Sequence, residues 1–149
     1  MDLELRSVNA ETTRPLRQRI LRPHQRVEDV VFPGDDHPAA RHFAVCDGDA
    51  VVAVSSLYHE SPPDAARQDA WRLRGVATLN EYRGQGLATR ILMACIEHIR
   101  SSGGGLLWCT ARTSAKGFYD KHGFQTVGDP FVLPNIGEHY HMQLEIPPK

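Results

Sequence analysis

The chain has 149 residues, 41% of them hydrophobic, which suits one globular domain with a sizeable core and leaves no room for two ordinary ones. Lys+Arg of 17 against Asp+Glu of 18 makes it near neutral with no basic run, which argues against a nucleic-acid partner. Met1-Asp2-Leu3-Glu4-Leu5-Arg6 has no basic region followed by an apolar core, and no apolar run approaches the roughly 18 residues of a membrane span, so a cytoplasmic protein with no membrane partner is expected.

In chain order, Leu3 to Val8 alternates as a first strand, and Thr12-Thr13-Arg14-Pro15 offers a cap and an early proline for a helix from about Arg14 to Leu21. Arg14, Arg17, Arg19 and Arg22 read as its solvated face, although one of them could meet a substrate carboxylate. From Arg22 to Arg41 turn formers and charges show no period, the mark of a long loop, and such loops are often functional. His42 to Cys46 and Ala50 to Leu57 are strand-like runs around Asp47-Gly48-Asp49, where Asp-Gly signals a hairpin. Glu60 to Asp69, with Ser61-Pro62-Pro63-Asp64, is a loop before a strand at Trp71 to Leu79.

Leu87 to Ser101 has the helical stripe Leu87, Ile91, Cys95 with Leu92, Ile96 and Ile99 beside it, and it stops at Ser101-Ser102-Gly103-Gly104-Gly105. Leu106 to Ala111 is the continuous apolar run of a buried strand with a parallel neighbour, which completes a strand-helix-strand crossover. Thr113 or Ser114 can cap a short helix from Ala115 to His122, with Gly123 as its left-handed terminator. Phe124 to Val127 returns as a strand, Gly128-Asp129-Pro130 turns, an irregular segment runs through Gly137, and His139 to Ile146 is a half-exposed last strand. The fold class is α+β: a mixed, mostly antiparallel sheet with one parallel crossover and helices on both faces. Cys46, Cys95 and Cys109, odd in number and set among apolar residues, read as reduced core thiols.

The stretch Tyr82-Arg83-Gly84-Gln85-Gly86-Leu87-Ala88-Thr89 joins a strand to a helix start, where backbone amides and the helix dipole favour phosphate. It is not a P-loop, because Leu87-Ala88 stands where Lys-Ser/Thr is required. A dinucleotide fingerprint needs a third glycine or alanine where Thr89 stands, and an acidic residue after the next strand, where Ala111-Arg112 is found; Arg112 could instead meet a 2′-phosphate. The plain alternative is a turn whose glycines serve geometry only.

Arg83-Gly84-Gln85-Gly86-Leu87-Ala88 resembles the signature of the GNAT superfamily of acyl-CoA N-acyltransferases, with Asn80-Glu81-Tyr82 similar to its Pro-Glu-Tyr lead-in. A second block of that family is matched by Ala115, Phe118-Tyr119 and Gly123-Phe124. The resemblance implies that acetyl-CoA is the co-substrate, its pyrophosphate held by amides of Gly84, Gln85, Gly86, Leu87 and Ala88, with Thr89 adding a hydroxyl. It also implies that the strand through Val76, Ala77 and Thr78 splays from its neighbour, pairs with the pantetheine arm and aims the Val76 amide at the acyl oxygen; Gly75 suits such a bulge. Arg83, Arg112, Ala115 and Phe118 complete the implied cofactor contacts. Tyr119 matches the proton donor to the departing thiolate, against a core-aromatic reading of the same residue.

The general base is not identified. Some family members carry Glu on the strand that here holds Arg72 and Arg74, and arginine cannot act as a base at neutral pH. Glu60, Glu28, Asp35, Glu138 and His42 are unranked candidates beside a water chain. Arg72 and Arg74 could hold a substrate carboxylate, although such pairs are more often solvated or salt-bridged. Glu138, His139 and His141 lack a third ligand of diagnostic spacing, so no metal is expected. The expected function is acetyl transfer to a primary amine by direct attack, with a small-molecule or peptide acceptor and a possible homodimer. The alternatives are a catalytically degenerate acyl-CoA-binding module and a small NADP-dependent oxidoreductase.

Overall fold

The computed structural model describes residues 2–63 and 65–149, so Met1 and Asp64 of the readings above lie outside the described residues. The chain divides into two compact units, one made of the chain up to His59 with Leu73–His98, the other of Glu60–Arg72 with Ile99–Lys149. Seven strands build a mixed sheet, β4 contributing residues to both units.

In the first unit β1 (Leu3–Val8), β2 (Arg41–Asp47) and β3 (Ala50–Tyr58) pair antiparallel in that order. Asp47 pairs with Ala50, so the hairpin loop is Gly48-Asp49 and not the Asp-Gly pair itself, with Gly48 at φ 60°. A positive φ at the first loop position matches the strands' twist and favours glycine there. Ala44, Cys46 and Val54 from β2 and β3 pack with Leu16 and Ala77 in this unit's core.

The first helix departs from expectation. Helix α1 spans Ala10–Leu16, four residues earlier than its expected start, because Asn9 caps it: Oδ1 of Asn9 accepts from the amide of Thr12 at 2.9 Å and from its hydroxyl at 2.7 Å. Asparagine is the stronger cap, and Thr12 becomes its partner. Pro15 therefore lies inside the helix, and a π turn over Arg17–Leu21 follows it. A proline there removes one intrahelical bond, and wider turns are a known local response to such disturbance.

In β4 (Ala70–Thr78), the first three residues pair in parallel with β5 (Gly105–Arg112), from Ala70↔Leu106 to Arg72↔Trp108. Helix α2 covers Leu87–Ser101, as the apolar stripe requires. It ends where the amide of Gly104 donates to Ile99 O at 2.9 Å and that of Gly103 to Arg100 O at 3.2 Å, the double bond of a left-handed glycine terminator. Helix α3 spans Thr113–Lys121, and Gly123 at φ 89° closes it as expected. Its expected cap is absent: Arg112 occupies the cap position and its side chain makes no capping hydrogen bond, while the Thr113 hydroxyl donates to Glu138.

The last two strands, β6 (Gln125–Leu133) and β7 (Gly137–Ile146), pair antiparallel, and β7 also pairs antiparallel with β5. Gly128-Asp129-Pro130 is not a turn. Val127 opposes His141 and Phe131 opposes His139, so the three residues bulge out of one continuous strand. An edge strand tolerates this because the missing N–H of Pro130 and the positive φ of Gly128 need no ladder partner. The turn comes later, at residues 134–136, where Asn135 has φ 66°.

Cys46, Cys95 and Cys109 are free and buried, and burial pushes the thiols of Cys95 and Cys109 up to about 12. No helix among the described residues is long and apolar enough to cross a membrane.

Candidate functional site

In the first unit β4 runs into a 3-10 turn at Asn80–Tyr82, then the extended Arg83, then the glycines and α2. The turn is tied down by Tyr82 N–H to Leu79 O at 2.9 Å, Arg83 N–H to Asn80 O at 3.2 Å, and the Tyr82 hydroxyl to Asp47 Oδ2 at 2.6 Å. Gly84 and Gly86 both have φ 77°, and a Cβ on either would meet nothing within 4 Å. Glycine is therefore needed for backbone conformation, and the space beside it is open to a bulky group. The amide of Arg90 bonds Gly86 O at 3.0 Å, while those of Leu87, Ala88 and Thr89 precede the first intrahelical bond. No acidic side chain stands in the first turn to neutralise that positive end. Arg83, Gly84, Gln85 and Gly86 are exposed and Leu87 is buried.

Just upstream, Val76 and Thr78 are half-buried and Ala77 is buried. Gly75 has φ 72°, and a Cβ there would lie 3.2 Å from Phe32 and 3.3 Å from Nε of Arg17. Glycine at 75 is therefore required both by its positive φ and by the side chains packed against it.

Those side chains belong to a buried network that the sequence did not announce. The expected solvated arginine face is wrong for Arg17, whose side chain is 0% exposed. Its Nη1 and Nη2 donate to the two oxygens of Asp35 at 2.7 and 2.8 Å, and further to Val30 O, Ser56 Oγ and Tyr58 Oη. Arg14, the amide of Phe32 and the Tyr58 hydroxyl also donate to Asp35. His42 joins through Ser56 Oγ at 2.6 Å and Asp35 O at 2.9 Å. Arg19 stays exposed, and Arg22 donates to Leu21 O.

This network bears on the search for a base. Burial pushes the Asp35 carboxyl up, but hydrogen bonds from Arg17 and Tyr58 and the charge of Arg17 outweigh it and hold the carboxyl well below the usual range. Burial pushes His42 down and pushes Tyr58 up to about 12. A carboxylate so stabilised is a poor proton acceptor, and His42 has both ring nitrogens engaged. Among the other candidates, Glu28 lies exposed 3.8 Å from Arg26. Glu138 accepts from Thr113, and Glu60 pairs with Arg72 at 3.1 Å.

In the second unit Arg72 also lies over the ring of Trp108 at 4.9 Å, and Trp108 Nε1 donates to Glu60 O at 2.9 Å. His141 stacks on Trp108 with centroids 5.4 Å apart. Arg72 and Arg74 do not form one fork: Arg74 lies instead over Phe32 at 4.0 Å, in the first unit. Tyr119 is 5% exposed and meets Phe118 and Phe124 edge-on, each at 5.1 Å. It also hydrogen-bonds Cys109. Arg112, Ala115 and Phe118 are half-buried. The site residues read from the sequence therefore divide: Val76–Thr78 and Arg83–Thr89 in the first unit, Arg112, Ala115, Phe118 and Tyr119 in the second. Among the described residues no group of three or more His, Cys, Asp or Glu is placed to hold a metal ion.

A strand thus runs through two glycines of positive φ into a helix with no acidic residue in its first turn, within a mixed sheet. The model of the acetyltransferase (GNAT) family matches residues 6–124, and the chain belongs to that family of acyltransferases. It is 35% identical over 140 residues to the uncharacterized N-acetyltransferase YitI of Bacillus subtilis (strain 168), with 94% of each chain covered. Its fold is similar to the ribosomal-protein-S18-alanine N-acetyltransferase of Escherichia coli (TM-score 0.77, 17% identity, 99% of this chain and 96% of that one). It is also similar to an aminoglycoside 6′-N-acetyltransferase complexed with coenzyme A (TM-score 0.70, 14% identity, 98% of each chain).

Proposed function

We infer that the protein transfers an acetyl group from acetyl-CoA to a primary amine by direct attack, the two units working as one acyltransferase domain. The observation that carries this is the pair Gly84 and Gly86, both at φ 77° beside open space, opening a helix whose first turn has no acidic residue. Such a turn suits a pyrophosphate, with amides of residues 84–88 as donors, the Thr89 hydroxyl beside them and Arg83 adding charge. Arg112, Ala115 and Phe118 are assigned further contacts to the same co-substrate. Residues 76–78 of β4, downstream of the parallel ladder over Ala70–Arg72, are the proposed partner of the pantetheine arm.

In the reaction the amine lone pair attacks the thioester carbon, the carbon–sulfur bond breaks, and the thiolate leaves with the bonding pair. The Val76 amide stabilises the negative oxygen of the intermediate. Tyr119 gives its proton to the thiolate, and water or a carboxylate takes the proton from the nitrogen. Glu60, Glu28 and Glu138 stay as candidates for that role, whereas the Arg17 contacts of Asp35 and the two bonds of His42 weigh against those residues. The acceptor is a small-molecule or peptide amine, and the relatives' names include one of each kind. The setting is the cytoplasm, with no nucleic-acid or membrane partner; a homodimer is compatible with this reading.

The test is a thermal shift with acetyl-CoA against NADPH, followed by thiol release with a panel of amines. Stabilisation by acetyl-CoA and amine-dependent release are expected; stabilisation by NADPH alone would overturn the reading.

A further inference from the structure

Both ends of the glycine turn are tied to one corner of the first unit's sheet. Upstream, the Tyr82 hydroxyl donates to Asp47 Oδ2 at 2.6 Å, and the Leu79 amide donates to Val52 O at 2.9 Å. Downstream, Arg90, whose amide bonds Gly86 O, donates from Nη1 to Leu3 O at 3.1 Å. Leu3 and Asp47 are themselves partners across the β1–β2 ladder, and Asp47 pairs with Ala50 on its other side. The residue that receives Tyr82 is therefore held by a strand on each flank, the kind of rigid support a binding site needs.

Burial does not hold this stretch. No residue of the Asn80–Tyr82 turn is buried, Arg83 to Gly86 are exposed, and a Cβ at Gly84 or Gly86 would meet nothing within 4 Å. Buried side chains resume only at Leu87 in α2. Glycines also give the unbound turn more conformations to lose than other residues would. A bond of 2.6 Å to a carboxylate falls in the range of short, charge-assisted bonds. It pushes the Tyr82 hydroxyl above its ordinary value, so the group stays protonated and donates at neutral pH.

We propose that Asp47, acting through Tyr82, is a positioning residue for the co-substrate: it sets the Arg83–Gly86 turn in its receiving conformation before the pyrophosphate arrives. The proposal rests on the acyltransferase reading for what the turn holds. Without the tie, binding has to order the turn, and that cost lowers affinity. Charge alone predicts the opposite sign. An anion near the cradle repels a pyrophosphate, so removing the Asp47 carboxylate would tighten binding if it acted only through its field.

The experiment is calorimetric titration of coenzyme A into the full chain and into its Tyr82→Phe, Asp47→Ala, Asp47→Asn and combined Tyr82→Phe, Asp47→Ala variants. Tyr82→Phe and Asp47→Ala should each weaken binding about tenfold, the scale of one hydrogen bond to a charged group. The combined variant should lose no more than either single one, because both remove the same bond. Asp47→Asn keeps an acceptor oxygen without the charge and should retain more affinity than Asp47→Ala. Unchanged affinity in Tyr82→Phe, tighter binding by Asp47→Ala, or losses that add in the combined variant would each overturn the proposal. Tyr82→Phe removes one hydroxyl and decides even if Asp47→Ala fails to fold. Failure of coenzyme A to bind the natural chain would strike the acyltransferase reading instead, and amide exchange without ligand would still decide the tie. The Tyr82 and Arg83 amides, bonded within the turn at 2.9 and 3.2 Å, should exchange about tenfold faster in Tyr82→Phe while those of β1 do not change; equal rates would overturn it.

Discussion

Arg17 and Asp35 face each other through two hydrogen bonds of 2.7 and 2.8 Å, both side chains buried, and so fasten the loop of residues 22–40 to the helix before it. Breaking one side of a buried pair leaves the other charge uncompensated, which costs about 3–5 kcal/mol. Asp35→Asn and Arg17→Gln are each expected to lower the unfolding free energy, measured by urea titration, by that much. A shift under about 1 kcal/mol in both would show that the pair does not organise the unit.

The same pair predicts acid sensitivity. The folded carboxyl of Asp35 lies well below the usual range, so its stabilisation is fully present above the unfolded value of about 4 and is lost as pH falls from there toward the folded one. Unfolding free energy measured from pH 7 to pH 2 should fall below about pH 4 in the natural chain. The slope should be shallower in Asp35→Asn, and identical slopes would contradict the assignment.

The glycine turn separates two kinds of substitution. Gly86→Ala adds a methyl group with nothing within 4 Å but places it at φ 77°, so a stability loss of roughly 1–2 kcal/mol is expected. Gly86→Glu adds the same strain plus a negative charge beside the proposed pyrophosphate, and should lower coenzyme A affinity far more than the alanine variant. Equal affinities for the two variants by calorimetry would move the cradle elsewhere.

Tyr119→Phe keeps the edge-on ring contacts to Phe118 and Phe124 and removes only the hydroxyl, so the fold should survive. Turnover should fall by about 100–10,000-fold with coenzyme A affinity retained if that hydroxyl is the acid. Full turnover across the pH range would return Tyr119 to the core, which its 5% exposure and its bond to Cys109 equally describe.

What the chain reveals without its fold depends on the range of the cause. Helix α2 over Leu87–Ser101, the Gly123 terminator and the parallel crossover were all readable, because a 3.6-residue stripe, a left-handed glycine and an apolar run act over a few residues. The glycine turn was readable for the same reason, and its family signature with it. Local rules failed where two local signals competed. Asn9 took the cap that Thr12 offered, and the bulge at residues 128–130 took a sequence that looks like a turn.

The tertiary structure alone decided the fate of the charges. Arg17 lies 18 residues from Asp35 and 41 from Tyr58, so no periodicity could reveal that it is buried among them. Arg72 and Arg74, two residues apart on one strand, go to Glu60 with Trp108 and to Phe32 respectively. A side chain's charge is written in the sequence, but its partner is chosen by which distant elements the hydrophobic core brings together. Burial then turns that choice into a saturated ion pair at Asp35 in one case and a guanidinium laid over the Phe32 ring in the other.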